Sequence, residues 1–455
     1  MYQWYLYVVY KTLKRDTEIS VKNPIILSNY LQQNGVTRML RFAASPTGDM
    51  LISELRVAIL NYLLAQQRTE GFIIRIDDTD KASNIEGKDT EIMQILEKFA
   101  LIHESVFHQS EHLHMHQTLA IKLLEEGKAF VCTCTQSPLT DTPYSGRCYD
   151  VDKSEHAKLK ESGTPFVIRI KKPATDSVYQ DYIQGNINTT ANDIDSFIIL
   201  NTDGTPTPIF ASACDDMLSG ITMLIREESN LLDTVRQIHI KTQLGFDAEI
   251  RYAHIPALNA DKEIPTVKSL FEQGFIPDAI INYLLLLANE KVPQEIFTLP
   301  ETIEWFKLDE MSTSTLTFDL EKLRFINREH LRRMDDKQLS SLFGFADADI
   351  GKLAKLYLEE ASTTTELEAK INPIFVDKNF EGPWANQMRT METLVQDAPM
   401  FAEYEAFEAY VIKESGLTGK NFFIPLRLLL TGAEHGPELS DIYPLIKSYL
   451  LEIAS

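Results

Sequence analysis

Cysteines, long apolar stretches and an excess of positive charge are all missing from this 455-residue sequence, and each shortage excludes a class of protein. Four cysteines are too few for a disulfide-stapled secreted scaffold, so we expect a cytoplasmic protein. No apolar run approaches the roughly 20 residues needed to cross a bilayer, which predicts no membrane partner. Lys and Arg number 44 against 66 Asp and Glu, and the formal charge of −22 argues weakly against a simple nucleic-acid binder.

The remaining composition is that of a globular protein, with 44% hydrophobic and 24% charged residues. The length exceeds what one hydrophobic core usually serves, so we expect about three packed units. Residues 1–38 differ from the rest, because an aromatic, apolar start precedes Lys11, Lys14 and Arg15. That order is the reverse of a signal peptide. We therefore predict an N-terminal extension that is accessory or lies before the working start, with a membrane-surface anchor as the alternative.

Strand and helix patterns alternate after Met39, which predicts an α/β fold with a parallel sheet. Ligands in such sheets bind at the carboxyl ends of the strands, where Ser45, Thr47 and Asp77 are expected. The predicted strands and helices of this part lie at 39–43, 55–67, 72–76 and 89–99. Helices dominate the C-terminal part, with segments at 335–343, 347–360, 365–371 and 384–397.

The chain divides by pattern into an N-terminal extension and five further segments. The two halves of an α/β sheet domain are predicted at 39–118 and 206–250, around a mixed insertion at 119–205. A connecting region follows at 251–330, and an all-α region occupies 331–455.

Two short motifs follow the first two predicted strands. Arg41–Gly48 leads a strand into a helix N-terminus, whose free N–H groups suit a phosphate or carboxylate, although a plain turn explains these residues equally well. Arg75–Asp80 places three acids after a buried strand, where they would bind an ammonium group or a metal. The alternative for this second motif is a helix-capping turn.

Two further clusters carry ligand chemistry. Cysteines and a tyrosine in one short window predict a sulfur-rich structural zinc site, and three ordinary thiols are the alternative. Its members are Cys132, Cys134, Tyr144 and Cys148. Asp215 and Asp216 precede Arg226, whose guanidinium can bind a carboxylate at two points, unless the three form a surface ion-pair cluster.

Taken in chain order, these stretches resemble bacterial glutamyl-tRNA synthetase, a class I aminoacyl-tRNA ligase. The resemblance runs from Met39 to the C-terminus, and its strongest stretches are Arg41–Gly48, Phe72–Asp80, Phe271–Ala279, Leu323–Leu331, Pro425–Arg427 and Thr431–Leu439. It implies a Rossmann-like catalytic domain in two halves at 39–118 and 206–250. It also implies a tRNA acceptor-end-binding insertion at 119–205, a stem-contact region at 251–330 and an all-α anticodon-binding domain at 331–455.

The resemblance also implies ligands and roles. The partners would be glutamate and tRNA(Glu), with tRNA(Gln) as a second candidate, and the chain would act as a monomer with ATP and Mg²⁺. Some family members carry zinc at the cysteine cluster. In the family pattern the substrate-binding positions fall on Arg41, Ala43, Ser45, Asp77 and Arg226, and the nucleotide-binding positions fall on Thr47 and Gly48.

The sequence departs from the family pattern where ATP is handled. Leu51 and Ser53 stand where the H-I-G-H-like signature has a phosphate-donating His and a Gly. The K-M-S-K-R-like loop is shortened, leaving Lys262 between two acids. Pro208 replaces a pocket Tyr, and Glu227 replaces the Gly after the carboxylate-binding Arg. These departures leave the catalytic residues unassigned.

Three functions are compatible with the sequence. The first is a glutamate–tRNA ligase, and the second is a degraded paralogue that binds tRNA or a protein. A ligase that modifies another acceptor fits less well, because such relatives lack the C-terminal helical domain. Charge reversal at Arg332 and Arg333 is expected to weaken tRNA binding, unless Asp319 and Glu321 neutralise this helix face. The basic residues predicted to contact tRNA are Lys322, Arg324, Arg328, Arg332, Arg333, Lys420 and Arg427.

Overall fold

The structure, a computed structural model, describes residues 38–134, 144, 146–150, 161–287, 289 and 291–454. The predicted N-terminal extension up to residue 37 lies outside the described residues. The strands are β1 Met39–Ala44, β2 Gly71–Ile76, β3 Ser105–His108, β4 Ala129–Cys132, β5 Val167–Ile170, β6 Ser177–Asp181, β7 Gly185–Thr189, β8 Ile198–Leu200, β9 Met223–Glu227, β10 Arg251–Ile255, β11 Leu258–Asn259 and β12 Leu316–Thr317.

Helices alternate with the first strands and then take over the chain. Those of the N-terminal part are α1 Ile52–Arg68, α2 Lys88–Lys98, α3 Leu113–Glu125, α4 Pro208–Leu218 and α5 Leu231–Leu244. They are followed by α6 Val267–Glu272, α7 Pro277–Leu286, α8 Leu299–Trp305, α9 Leu320–Arg333, α10 Asp336–Ser341, α11 Asp349–Leu356, α12 Thr364–Phe375, α13 Ala385–Gln396, α14 Tyr404–Ser415, α15 Lys420–Thr431, α16 Leu439–Ile446 and α17 Leu450–Ile453.

A parallel sheet carries the N-terminal part. Strand β2 pairs in parallel with β1 and β3, and β10 pairs in parallel with β9 and β6. A parallel bridge between Met39 and Ile221 connects the two sets of strands. Apolar residues fill the strand interiors because both faces are covered, as β2 shows with Phe72 and Ile74 almost fully buried. The predicted α/β class is confirmed.

The inserted segment forms an antiparallel sheet, β4-β5-β8, that shares a core with the helices around it. Ile168 and Ile199 from this sheet pack in one cluster with Leu123 of α3, Phe210 of α4 and Ile240 of α5. The insertion thus shares its larger core with these helices, and a smaller cluster of its own groups Phe130, Cys132, Tyr144 and Cys148. The chain divides into two compact units rather than the expected three, one of them built from the described residues through Val267 with Leu285–Pro293 and Leu299–Phe318.

The second unit comprises Lys268–Leu284, Gln294–Thr298 and the chain from Asp319 onward. From Asp319 onward the described residues contain helices and no strand, as predicted. The helices expected at 335–343, 347–360, 365–371 and 384–397 correspond to α10, α11, α12 and α13. None of the described helices is both long enough and apolar enough to cross a membrane.

Candidate functional site

A cleft of about 340 Å³ lies at the carboxyl ends of β1, β2 and β9. Four of the residues predicted to bind substrate line it together: Arg41, Ala43, Asp77 and Arg226. The other predicted site residues, Ser45, Thr47 and Gly48, are exposed on the loop after β1 and are not among the lining residues.

Asp216 of α4 lies at the centre of a buried charge network beneath the cleft. Its carboxylate accepts hydrogen bonds from Arg41 at 2.7 and 3.1 Å and from Arg75 at 2.8 Å. Arg226 donates at 3.3 Å to Asp216 Oδ2, the carboxylate oxygen that Arg75 does not contact. Each of these side chains is less than a tenth exposed, so the alternative of a surface ion-pair cluster is wrong.

Within this network, positive charge exceeds negative charge at the end of the cleft formed by Arg41, Arg75 and Arg226. Burial alone would raise the pKa of Asp216, but Arg41 and Arg75 outweigh it and hold that pKa well below its usual range. Burial and the neighbouring Arg41 lower the pKa of Arg226 to about 10, so its guanidinium stays charged at neutral pH. Arg75 also binds Asp77 at 2.6 Å. Three guanidinium groups thus face two carboxylates, which suits the binding of an anionic ligand.

The acids that follow β2 have separate partners. Asp77 pairs with Arg75, whereas the Asp78 carboxylate accepts from the backbone N–H of Ser110 at 2.8 Å. Asp80 is exposed and accepts from the Ser83 hydroxyl at 2.8 Å, which closes its own turn. The three acids therefore do not converge on one ligand, and only Asp77 lines the cleft.

The N-terminus of α1 is occupied by acceptors from the protein itself. The Glu54 carboxylate accepts from the backbone N–H of Leu51 at 2.8 Å, and the carbonyl of Pro265 accepts from the N–H of Ile52 at 3.2 Å. A Glu at the third helical position that reaches back to the N-cap is half of a capping box, and Leu51 has no side-chain oxygen to supply the other half.

The shortened loop lies directly against this helix start. Thr266 forms an antiparallel bridge with Leu51, and the N–H of Val267 donates to the carbonyl of Met50 at 2.9 Å. Lys262 lies on the exposed side of the same loop. Ser53 is 5% exposed, so its side chain fills space inside the protein. The loop and the start of α1 are therefore joined by backbone hydrogen bonds. In the family pattern, these are the two segments that would carry the ATP-binding signatures.

Negative charge also lines the cleft beside this helix. Glu54 and Glu227 are both lining residues. Burial raises the pKa of Glu54, the Leu51 N–H opposes this shift, and the charge of Glu227 adds to it. Pro208 lines the cleft as well and occupies the first turn of α4, where its missing N–H costs nothing.

Sequence reasoning missed two components of the site. Arg75 was quoted within a motif but given no role, although it joins Asp77 to Asp216. Glu54 was given no role, although its position three residues after Leu51 is a known signal for a helix start.

The predicted zinc ligands lie together. The three sulfur atoms of Cys132, Cys134 and Cys148 fall within 4.8 Å of one another, and the Tyr144 hydroxyl lies 3.7 Å from the Cys132 sulfur. Tetrahedral zinc sets sulfur ligands roughly 3.8 Å apart, close to the 3.5 Å between Cys134 and Cys148. Burial would raise the pKa of Cys148, but a hydrogen bond with Tyr144 and a backbone N–H lower it to about 7. The donor set therefore fits a zinc ion.

The basic residues predicted to contact tRNA are mostly paired within the second unit. Arg324 binds Glu366 at 2.8 Å, and Arg332 binds Glu359 at 2.9 Å. Two further ion pairs join Lys322 to Glu295 and Arg332 to Glu329. Arg333 and Arg427 donate hydrogen bonds to the carbonyls of Ile296 and Pro437. Acidic residues thus neutralise the basic side chains of α9, as the alternative interpretation expected. The acids are Glu295, Glu329, Glu359 and Glu366, not the predicted Asp319 and Glu321. Within the described chain, Arg328 and Lys420 form no ion pair.

Comparison with known families and sequences gives consistent matches. A model described as the catalytic domain of class I tRNA synthetases (E and Q) matches residues 38–325. The chain is 59% identical over 429 residues to glutamate–tRNA ligase 2 of Sulfurovum sp. (strain NBC37-1). This alignment covers 92% of the chain and 100% of the relative. Identity to glutamate–tRNA ligase 2 of Sulfurimonas denitrificans is 47% over 431 residues, spanning 91% and 100%.

Solved structures share the fold. A glutamate tRNA ligase from Elizabethkingia meningosepticum, in complex with its amino acid, superimposes with a TM-score of 0.74 over 92% of this chain and 98% of that chain. The sequence identity in this comparison is 22%, so the likeness speaks for the fold alone.

Proposed function

Because the chain belongs to the class I (E and Q) tRNA synthetase family, we propose that it recognises tRNA(Glu) and holds glutamate without activating it with ATP. One observation carries the proposal. At the helix N-terminus that would face the ATP phosphates, the N–H groups of Leu51 and Ile52 already donate to the Glu54 carboxylate and the Pro265 carbonyl.

Two physical effects act against the triphosphate at this helix. Backbone N–H groups at a helix N-terminus bind phosphate only while they are free, and those of Leu51 and Ile52 are taken. In addition, the carboxylates of Glu54 and Glu227 would repel the phosphates across the cleft. The loss of one aimed donor alone costs on the order of 100- to 1,000-fold in rate.

The amino-acid part of the cleft supports retained binding of glutamate. Arg41 and Arg226 are held in place by Asp216, and the network keeps a positive surplus for a carboxylate. Asp77 is placed for the ammonium group by the family pattern. Gln237 also lines the cleft, and within the described chain its buried Oε1 has no hydrogen-bond partner, so it offers a second acceptor.

A second candidate is the complete reaction, ligation of glutamate to tRNA(Glu) with ATP and Mg²⁺. The 59% identity to a protein named as a glutamate–tRNA ligase favours it. In that case Lys262, exposed on the shortened loop, would have to replace the mobile lysines of the family. Its neighbours Asp261 and Glu263 oppose such a role.

The family pattern assigns tRNA binding to three regions of the chain, of which only 251–330 contains an altered signature, the shortened loop around Lys262. We assign the acceptor end to 119–205, the stem to 251–330 and the anticodon to 331–455, in a monomer, with tRNA(Gln) as a further substrate to be tested. A zinc ion held by Cys132, Cys134, Cys148 and Tyr144 would cross-link the acceptor-end region and would supply structure rather than catalysis.

Equilibrium binding tests the proposal with the full chain. We expect tRNA(Glu) to bind more tightly than an unrelated tRNA, glutamate to bind measurably by calorimetry, and ATP to show no heat of binding at millimolar concentration. ATP binding at micromolar concentration would favour the second candidate. Failure to discriminate between tRNAs would exclude the recognition role.

A further inference from the structure

A histidine and carboxylate cluster lies behind the cleft and takes no part in the proposed binding of glutamate. His112 ends a 3₁₀ turn at Gln109–His112, and His116 lies one turn later in α3. The spacing of four residues places both imidazoles on one side of the helix. Asp215 of α4 faces them and is fully buried.

The three side chains converge on one point. His112 Nδ1 and His116 Nε2 each lie 2.9 Å from the same oxygen, Asp215 Oδ1. Gln109 donates to the other carboxylate oxygen at 2.9 Å and so fixes the orientation of the carboxylate. All three potential ligand atoms lie within 4.8 Å of one another.

We propose that His112 Nδ1, His116 Nε2 and the Asp215 carboxylate bind one divalent transition-metal ion, separate from the cysteine cluster. Metal–nitrogen and metal–oxygen bonds of about 2.05 Å at the right angles of octahedral coordination set neighbouring ligand atoms about 2.9 Å apart, which matches both nitrogen–oxygen distances. Tetrahedral coordination, which zinc usually prefers, would need a separation of about 3.3 Å and hence a small shift of the side chains. Two imidazoles and one carboxylate are typical ligands of Zn²⁺, Co²⁺, Ni²⁺ and Fe²⁺.

Hydrogen bonding within the described residues leaves this cluster incomplete. Gln109 Oε1 and His116 Nδ1 are both buried and have no hydrogen-bond partner there. Buried polar atoms are rarely left unpaired, so a cluster with two such atoms calls for a further occupant or a rearrangement. A metal ion would take the place of the two hydrogens that now meet at Asp215 Oδ1, but it would bind neither of these unpaired atoms, so the proposal rests on the convergence of the three ligands.

The site is accessible from one side and rigid on the others. The His112 side chain is 19% exposed, whereas His116 and Asp215 are fully enclosed. The Phe107 ring stacks on the His112 ring at 4.8 Å and holds its orientation. A bound ion would join α3 to α4 next to Asp216, and it would thereby fix the base of the charge network beneath the cleft.

Cobalt titration distinguishes this site from the cysteine site. Cobalt bound by thiolates absorbs strongly in the near ultraviolet, whereas cobalt bound by imidazole and carboxylate shows only weak visible bands. We expect the metal-free full chain to bind Co²⁺ in both ways at pH 7.5. His112→Gln removes the weak visible bands alone, and His114→Gln, an exposed histidine on the same helix, changes neither.

Thermal unfolding separates metal binding from a purely structural role for the histidines. With EDTA present, His112→Gln and the unaltered chain are expected to unfold within a few degrees of each other. Added Zn²⁺ then raises the unfolding temperature more in the unaltered chain than in His112→Gln. Equal metal-induced shifts in the two proteins, or cobalt spectra showing only thiolate ligands, would overturn the proposal.

Discussion

The Glu54 carboxylate accepts a hydrogen bond from the backbone N–H of Leu51, three residues earlier, at 2.8 Å. This hydrogen bond caps the helix, and the N–H of Leu51 is then no longer free to bind a phosphate. The same N-terminus in a phosphate-binding protein keeps its N–H groups free. Here the positive end of the helix dipole is instead compensated by a side chain of the helix itself.

Removal of this cap is predicted to destabilise the protein and to improve access of nucleotides to the helix. Glu54→Ala should cost about 1 kcal/mol of unfolding free energy, as loss of a cap usually does. In combination with Glu227→Gly it should raise ATP affinity, because two repelling carboxylates are gone. Calorimetric titration with ATP measures the gain.

Glu366 provides the matched control for this prediction. It occupies the third position of α12 and accepts from the backbone N–H of Ser362 at 2.7 Å, in a helix remote in sequence from the cleft residues. Glu366→Ala should cost at least as much stability, because it also breaks the ion pair with Arg324, and it should leave ATP binding unchanged. Equal ATP affinity in all of these variants would contradict the view that Glu54 closes the helix.

Asp216→Asn is predicted to destabilise the protein by about 3–5 kcal/mol, because it leaves Arg41, Arg75 and Arg226 buried without their shared carboxylate. The pKa of Asp216 is depressed in the folded state, so its stabilisation is present above the unfolded pKa near ~3.9 and is lost on acidification. Urea denaturation at pH 7 measures the loss.

Asp233 serves as the control for Asp216 because it lines the same cleft but binds only the partly exposed Arg236, at 3.2 Å. Asp233→Asn should change stability by no more than about 0.5 kcal/mol. If the two substitutions cost the same, the buried network does not organise the cleft.

Lys241→Met is predicted to stabilise the protein at neutral pH. Lys241 is 4% exposed, and its ammonium has no hydrogen-bond partner among the described residues. Burial lowers its pKa to about 7, with Arg226 and Arg41 adding to the effect and Asp216 opposing it. A gain on the order of 1–3 kcal/mol at pH 7 is expected, since no charge then needs to be buried.

The pH dependence tests the cause of this gain. The unfolded chain binds a proton at Lys241 up to about pH 10.4, whereas the folded chain loses it above about pH 7. Stability of the unaltered chain should therefore rise between these values, and the advantage of Lys241→Met should shrink. An advantage that stays constant from pH 7 to pH 9.5 would point to packing instead of charge.

Arg328→Glu is predicted to weaken tRNA(Glu) binding more than Arg332→Glu does. Arg328 lies over the Phe325 ring at 5.9 Å and has no acidic partner within the described chain, whereas Arg332 binds Glu329 and Glu359. Loss of one phosphate contact should lower the slope of log affinity against log salt by about one. Fluorescence titration at several salt concentrations measures both quantities.

The same titrations revise the expectation taken from sequence. Charge reversal at Arg332 and Arg333 was predicted to weaken binding, but the structure pairs one with acids and bonds the other to the Ile296 carbonyl. A larger effect at Arg332 than at Arg328 would restore the original prediction.

Local pattern predicted much of the fold. The strand at 72–76 and the helix at 55–67 were predictable because buried apolar residues recur with the period of each element. The alternation around β1 and β2 then predicted a parallel sheet, and the register that pairs Ala44 with Ile76 brings their carboxyl ends to one edge. Asp77 was expected at that edge for the same reason and lines the cleft, whereas Arg41 was assigned through the family resemblance.

Contacts between distant parts of the sequence were not predictable in this way. Arg41 and Asp216 lie 175 residues apart, and no periodicity links them. Nor does any local pattern show that Ile168 and Ile199 of the insertion complete a core begun by α3 and α4. The hydrogen bond from the Ile52 N–H to the Pro265 carbonyl depends on the position of the shortened loop in the folded chain, which the sequence pattern does not predict.

ATP–pyrophosphate exchange with glutamate tests the central claim most directly. The reaction should be run with the full chain at saturating ATP and Mg²⁺, with and without tRNA(Glu). We predict no exchange above the protein-free background in either case, while the same preparation still binds tRNA(Glu). Exchange at the rate of an ordinary synthetase would contradict the account and would show that Leu51, Glu54 and the shortened loop still permit activation of glutamate.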